Sequence, residues 1–326
     1  MTKGLHDTFG RTINYMRISI TDRCNFRCTY CMPLGGVPHI PHTEILTFEE
    51  ILHFCAVAAR LGISRFKITG GEPFCRSGAT EFMKELKALP GVEQVTLTTN
   101  GALLGKHAEA LAEMGIDSVT VSLDSLNPER FAAMTRSKVD VHTILAGMER
   151  LEQLGVPLKI NTVPMKGVNE EDLVPLVQYA LDRDHHIRFI ELMPVGNAQH
   201  YVGITPEEVR ERIEATFGPM TRTDEHFGNG PAEYFSLEGK KACVGFISAL
   251  SHKFCSGCNR IRLTSKGFLK ACLHHAVGVD VKPLIRGHGS EEAIEAALGE
   301  TLAKKPQSHT FEEKDGTLFY MSSVGG

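Results

Sequence analysis

Two groups of three cysteines carry the chemistry of this sequence. Cys24, Cys28 and Cys31 fall within eight residues as Cys-x3-Cys-x2-Cys, and Cys255, Cys258 and Cys272 follow near the other end as Cys-x2-Cys-x13-Cys. Thiolates on one tight loop can fold around a single metal centre. Three is the informative number. A structural zinc takes four ligands, whereas a catalytic metal keeps a position open, and an iron-sulfur cube held by three cysteines leaves one iron free. A fourth ligand from His252, His274 or His275 would turn the second group into a zinc ribbon, so on spacing alone both readings stay open. Arg260 and Arg262 abut that group, and a guanidinium pair beside an open metal suits phosphate or carboxylate. Cys55, Cys75 and Cys243 stand alone and read as small buried hydrophobes.

Positioning such loops requires a scaffold, and the pattern between residues 15 and 194 supplies one. Short β-rich runs lie within 15–22, 65–71, 94–100, 118–124, 158–165 and 187–194, each followed by Gly, Asn, Asp or Pro. Amphipathic stretches separate them. In the first, Thr47 and Glu50 have capping-box spacing and Gly62 marks the end. Thr205-Pro206-Glu207-Glu208 opens a later helix in the same way, and another is expected over 290–304. Six βα units joined by right-handed crossovers predict an α/β fold with a parallel sheet, whose closure into a barrel the periodicity does not decide. Ligands of such sheets gather at the carboxyl ends of the strands. Those ends carry the first cysteine loop, Gly70-Gly71-Glu72-Pro73, Thr99-Asn100-Gly101, Ser122 to Ser125, Asn161 to Met165, and Glu191 to Pro194. The expected division is a core over 1–200 and an extension over 201–326 that packs onto it.

The composition narrows the function classes. With 326 residues, 42 % hydrophobic and 23 % charged, the chain is long enough for one large domain or two smaller ones, and disorder is excluded. A formal net charge of -4 gives no global field for nucleic acid or an anionic membrane, so a polyanionic ligand must meet a local basic pocket. No apolar run reaches the roughly 18 residues of a membrane span, and the N-terminal stretch lacks the order of an export signal. A cytoplasmic protein without membrane or nucleic-acid partners is expected, and nine cysteines there point to metal or redox chemistry rather than disulfides.

With Tyr30 preceding Cys31, the first loop resembles, without departure, the Cys-x3-Cys-x-aromatic-Cys signature of the radical S-adenosylmethionine (SAM) enzymes. Gly70-Gly71-Glu72-Pro73 resembles that family's GGEP element. Over nearly the whole chain the sequence is similar to the GTP 3',8-cyclases of molybdenum cofactor biosynthesis. The matching segments include Phe9-Gly10-Arg11, Arg17 through Asn25, Thr98-Thr99-Asn100-Gly101, Val121 through Ser125, Lys159 through Val163, Arg188 through Glu191, Cys255 through Thr264 and the final Gly325-Gly326.

The resemblance implies an incomplete (β/α)6 TIM-like barrel with a C-terminal extension covering its open side. It implies two [4Fe-4S] clusters, on Cys24, Cys28 and Cys31 and on Cys255, Cys258 and Cys272, and SAM contacts from Tyr30, Gly71, Ser122 and Met193. GTP is expected at Arg17, Lys67, Thr98, Lys159, Arg188, Arg260 and Arg262, with Arg260, Arg262, Gly325 and Gly326 taking part in catalysis. Many relatives carry arginine at Lys67, so that contact keeps its charge but loses the bidentate fork. A flavodoxin-like electron donor, a downstream cyclic pyranopterin monophosphate synthase and a homodimer are the implied partners. Two other readings are a radical SAM enzyme that modifies a peptide and a non-catalytic iron-sulfur redox sensor. The Cys258-to-Thr264 segment and the Gly-Gly end favour the cyclase over the first, and SAM cleavage separates it from the second.

Overall fold

The structure is a computed structural model in which residues 4–38, 40–287, 289–311 and 321 are described. Gly325 and Gly326 lie outside the described residues. The chain opens with an antiparallel pair, β1 (Leu5–His6) and β2 (Thr12–Ile13). An alternation follows: β3 (Tyr15–Ser19), α1 (Phe48–Arg60), β4 (Arg65–Thr69), α2 (Ala79–Ala88), β5 (Gln94–Thr99), α3 (Leu104–Glu113) and β6 (Ser118–Ser122). It continues through α4 (Pro128–Thr135), α5 (Val141–Gln153), β7 (Leu158–Thr162), α6 (Leu173–Leu181) and β8 (His186–Ile190). All six expected β runs are strands. Beyond them come α7 (Pro206–Phe217), β9 (Thr221–Thr223), β10 (Glu233–Ser236), β11 (Cys243–Ile247), β12 (Arg260–Leu263), β13 (Phe268–Lys270), β14 (Gly278–Asp280), α8 (Lys282–Arg286) and α9 (Glu291–Ala303).

The helix boundaries sit where local chemistry puts them. Thr47 Oγ1 accepts from the Glu50 amide and the Glu50 carboxylate accepts from the Thr47 amide, a capping box that starts α1. Just past its end Gly62 has φ +107°, a conformation few other residues adopt. Thr205 and Glu208 repeat the box at α7, with Pro206 as first helical residue. Each cap contributes about 1 kcal/mol.

Two compact units are assembled from discontinuous stretches: 1–25, 36–98 and 255–326 form one, and 26–35 and 99–254 the other. In the first unit the strand order is β14-β13-β12-β3-β4-β5, with β12, β3, β4 and β5 parallel and the β13 and β14 pairs antiparallel. One face is apolar: Met16, Ile18, Phe66, Ile68, Ile261 and Leu263 are buried. Each such side chain contributes about 1.5–3 kcal/mol of transfer free energy. By the two-residue period, the opposite face carries Arg17, Lys67, Arg260 and Arg262. α1 packs against α2, α8 and α9. In the second unit the order is β6-β7-β8-β11-β10-β9, the first four parallel, with α3 packed on α5 and α6 on α7.

Candidate active site

The first cysteine loop begins where β3 ends. Ile20 N donates to Thr69 O at 2.9 Å, Gly71 N to Thr21 O at 2.7 Å and Glu72 N to Arg23 O at 2.7 Å, so the Gly-Gly-Glu turn is zipped onto the residues just before Cys24. A Cβ on Gly70 would lie 2.7 Å from Thr21 O, and one on Gly71 would collide with Arg23 O. Glycine is required there because the cysteine loop itself occupies the space. The Arg76 guanidinium closes the same corner, donating to Ile20 O at 2.6 Å and Leu46 O at 2.8 Å.

Cys28 and Cys31 fall in the second unit. Cys31 N donates to Cys28 O at 2.9 Å, making a tight turn, while Arg27 N and Thr29 N donate to Thr135 O and Met134 O at the end of α4. Phe26 packs edge-on to Phe131 with centroids 5.9 Å apart. The Tyr30 hydroxyl donates to Asp124 Oδ2 at 2.8 Å, just past β6, and Asp124 Oδ1 accepts from Val163 N at 2.8 Å, just past β7. Burial pushes the Asp124 carboxyl up to about 6, against hydrogen bonds from Val163 and Tyr30, with Asp172 adding to the rise. Burial first, and then Asp124, hold the Tyr30 phenol well above its ordinary value, so it remains a donor. Asn169 Nδ2 donates to Asp124 O at 3.0 Å and Val163 O at 3.1 Å, tying both strand ends. Ser122 closes β6 in register with Asn161, and Met193 lies half-buried after β8.

The second cysteine group starts at the opposite end of β3. Tyr15, the first residue of that strand, is in register with Arg260, and Tyr15 N donates to Asn259 O at 3.3 Å. Cys258 therefore lies beyond the beginning of β3 and Cys24 beyond its end. Burial raises the Cys258 thiol, but the charges of Arg260 and Lys305 outweigh it and bring it down to about 7. His274 pairs through Nε2 with the Thr310 hydroxyl at 3.2 Å, and His275 Nε2 faces Ser308 O at 3.2 Å, so these two histidines of the zinc reading are engaged elsewhere. Among the described residues no three His, Cys, Asp or Glu side chains are gathered as a metal site. The six cysteines of the two groups are partly exposed thiols outside any disulfide, and the soft sulfur donors of the second group, with Cys258 acidified, suit an iron-sulfur cluster. Cys55 and Cys243 are buried as expected, whereas Cys75 is partly exposed because it sits in the turn after Pro73.

Between the ends of β3 runs a row of cations. Lys270 is in register with Arg262, Arg262 with Arg17, and Arg17 with Lys67, on four neighbouring strands of the first unit. The next position in the row is Thr96, and Thr98 follows two residues along β5. Burial, then the nearby charges of Arg17 and Arg260, hold the Arg262 guanidinium well below its ordinary value. Lys270 escaped the sequence reading. Its spacing in the sequence is unremarkable, and only the β12–β13 register aligns it with Arg262. In the second unit Arg188 donates from Nε to Asn161 Oδ1 at 2.9 Å and from Nη2 to Thr120 Oγ1 at 3.1 Å. Burial and then Arg188 lower Lys159 to about 8.

Comparison with known proteins agrees with this geometry. Residues 18–180 match the Radical SAM superfamily and residues 185–311 match Molybdenum Cofactor Synthesis C. A GTP 3',8-cyclase of Pelotomaculum thermopropionicum is 41 % identical over 327 residues, covering 99 % of this chain and 100 % of the relative. One of Petrotoga mobilis is 42 % identical over 330 residues, covering 98 % and 99 %. Among solved structures, Streptococcus suis SuiB bound to S-adenosylmethionine covers 94 % of this chain and 76 % of its own with a TM-score of 0.64 at 15 % identity, a likeness of fold. The six βα units are thus those of the incomplete (β/α)6 barrel class. Two matched regions that together span most of the chain, and full-length relatives at this identity, establish that the chain belongs to the GTP 3',8-cyclase family of radical SAM enzymes.

Proposed function

We propose that the chain converts GTP to (8S)-3',8-cyclo-7,8-dihydroguanosine 5'-triphosphate, the first step of molybdenum cofactor biosynthesis, with its two cysteine groups holding two [4Fe-4S] clusters. The observation that carries this reading is the first unit's arrangement: cysteines beyond both ends of β3, and Lys270, Arg262, Arg17 and Lys67 in a row across it. The strand's five residues span about 15 Å, the length scale of a nucleoside triphosphate.

When bound at the N-terminal cluster, SAM would supply hydrogen-abstracting chemistry at C3' of GTP, and joining C3' to C8 of guanine would then require one electron and one proton, from the reductant and solvent, to give an isomer of GTP. The chain's own residues position the reactants. Cys24, Cys28 and Cys31 hold one cluster, and Tyr30, Gly71, Ser122 and Met193 line the SAM site. Tyr30 is held by Asp124 and so cannot swing away. Arg17, Lys67, Thr98, Arg260 and Arg262, with Lys270, would bind the triphosphate in the first unit, and Lys159 and Arg188 are the basic residues that the resemblance assigns to GTP in the second. Several phosphate charges suit a site built from so many cations. Cys255, Cys258 and Cys272 would hold the second cluster, and three protein ligands would leave it one position for the guanine.

The reading extends to a flavodoxin-like reductant, a downstream cyclic pyranopterin monophosphate synthase, a homodimer and a cytoplasmic location. No described helix is long and apolar enough to cross a membrane. It also gives Gly325-Gly326 a part in catalysis. Deleting both glycines is expected to abolish turnover while iron content stays unchanged, and normal turnover by the truncated chain would refute that part. The whole reading is tested by anaerobic incubation of the reconstituted protein with dithionite, SAM and GTP. Deoxyadenosine together with an isomer of GTP supports it, and SAM cleavage with GTP returned intact removes the substrate assignment.

A further inference from the structure

Lys305 follows α9 and is only 3 % exposed. A buried ammonium is costly unless its N–H groups are satisfied and its charge is answered. Its Nζ donates to Arg260 O at 2.7 Å and Ala271 O at 2.7 Å, and reaches Cys258 Sγ at 3.5 Å. These contacts come from both arms of the second cysteine group. Arg260 lies two residues after Cys258, and Ala271 immediately precedes Cys272. Burial, the largest influence, holds the ammonium below its ordinary value, with Arg11 acting the same way and the charges of Cys258 and Cys272 acting against it.

The segment is fixed from behind by Arg11. Its Nη1 donates to Cys255 O at 2.7 Å and Gln307 O at 3.0 Å, and its Nη2 to Pro306 O at 2.7 Å, while Asp7 pairs with its Nε at 2.5 Å. Arg11 therefore holds the two residues just after Lys305, and α9 ends just before it.

We propose that Lys305 is a positioning residue for the second cluster: its buried ammonium ties the Cys258 and Cys272 arms together and, as a fixed positive charge beside a ligand sulfur, raises that cluster's reduction potential. This rests on the reading of Cys255, Cys258 and Cys272 as cluster ligands. Reduction adds an electron to the cluster, and a neighbouring cation or a hydrogen bond to sulfur favours the reduced form.

The test uses the full chain with Cys24, Cys28 and Cys31 replaced by alanine, so that one cluster reports, titrated anaerobically and followed by electron paramagnetic resonance. Lys305→Gln, which keeps amide donors but no charge, is expected to shift the midpoint to more negative potential, and Lys305→Arg to leave it near that of the parent. Iron-replete Gln and parent proteins with the same midpoint would overturn the proposal. Should the Gln variant take up no iron, Lys305→Arg decides: full iron content with a midpoint near that of the parent is expected. An iron-replete Arg variant whose midpoint falls well below that of the parent would overturn it there. A parent that binds no cluster on this triad refutes the ligand reading itself, an outcome visible in its iron content alone.

Discussion

The Tyr30 hydroxyl donates to Asp124 Oδ2 at 2.8 Å, fastening the cysteine loop to the end of β6 in the second unit. Asp124 is 7 % exposed and spends its other oxygen on Val163 N, so one buried carboxyl sets the position of the loop's aromatic residue. Its carboxyl titrates near 6 in the fold, chiefly because of burial, against 3.8 ordinarily. A raised carboxyl favours folding below the lower value, and that advantage is lost as pH rises through about 6. Thermal melts from pH 4 to 7 of the wild type and Asp124→Asn are therefore expected to diverge. The wild type loses up to about 3 kcal/mol relative to the variant. Parallel curves would show that the carboxyl does not titrate there.

Gly71→Ala places a methyl where Arg23 O sits. The loop before Cys24 must shift, so the first cluster is expected to be lost while the second remains. Iron analysis after anaerobic reconstitution should fall from about eight to about four atoms per chain. Full iron content would mean that the loop yields without cost.

The cation row predicts graded losses. Arg262→Ala should weaken GTP binding by roughly 10- to 100-fold, and Arg262→Lys, which keeps the charge without the fork, by less. Lys67→Arg should bind at least as tightly as the wild type. Equilibrium binding of GTP to the reconstituted protein checks all three, and an Arg262→Ala protein with wild-type affinity would remove that residue from the phosphate site.

Lys159 titrates near 8, lowered by burial and then by Arg188. Below that pH it is charged and attracts phosphate. As pH rises through about 8 the free protein loses the proton, and binding must recover it. The ratio of GTP dissociation constants between Lys159→Met and the wild type should accordingly be largest below pH 7.5 and shrink above 8.5. A ratio that is flat across this range would contradict the lowered value.

The strands and the first cysteine loop were legible because their signals are local. β-branched runs ending in Gly, Asn or Pro show where strands stop, and three cysteines within eight residues need no partner from elsewhere. The Thr47 and Thr205 caps were legible for the same reason. Lys270 and Lys305 were not. Each earns its place through register or burial, since Lys270 aligns with Arg262 only across a hairpin and Lys305 meets Cys258 from 47 residues away. Alternation tells which face a side chain takes, not which strand lies beside it. The discontinuous units were illegible too, because the pairing of β12 with β3 joins the two ends of the chain.

The most direct test of the central claim, that GTP lies between the two cysteine groups with C3' offered to SAM chemistry, uses GTP deuterated at C3'. The reconstituted enzyme is incubated anaerobically with dithionite and SAM, and both products are analysed by mass spectrometry. Deuterium in 5'-deoxyadenosine, in step with a cyclised isomer of GTP that lacks it, is the predicted result. Deoxyadenosine without deuterium, formed equally well when GTP is omitted, would contradict the account.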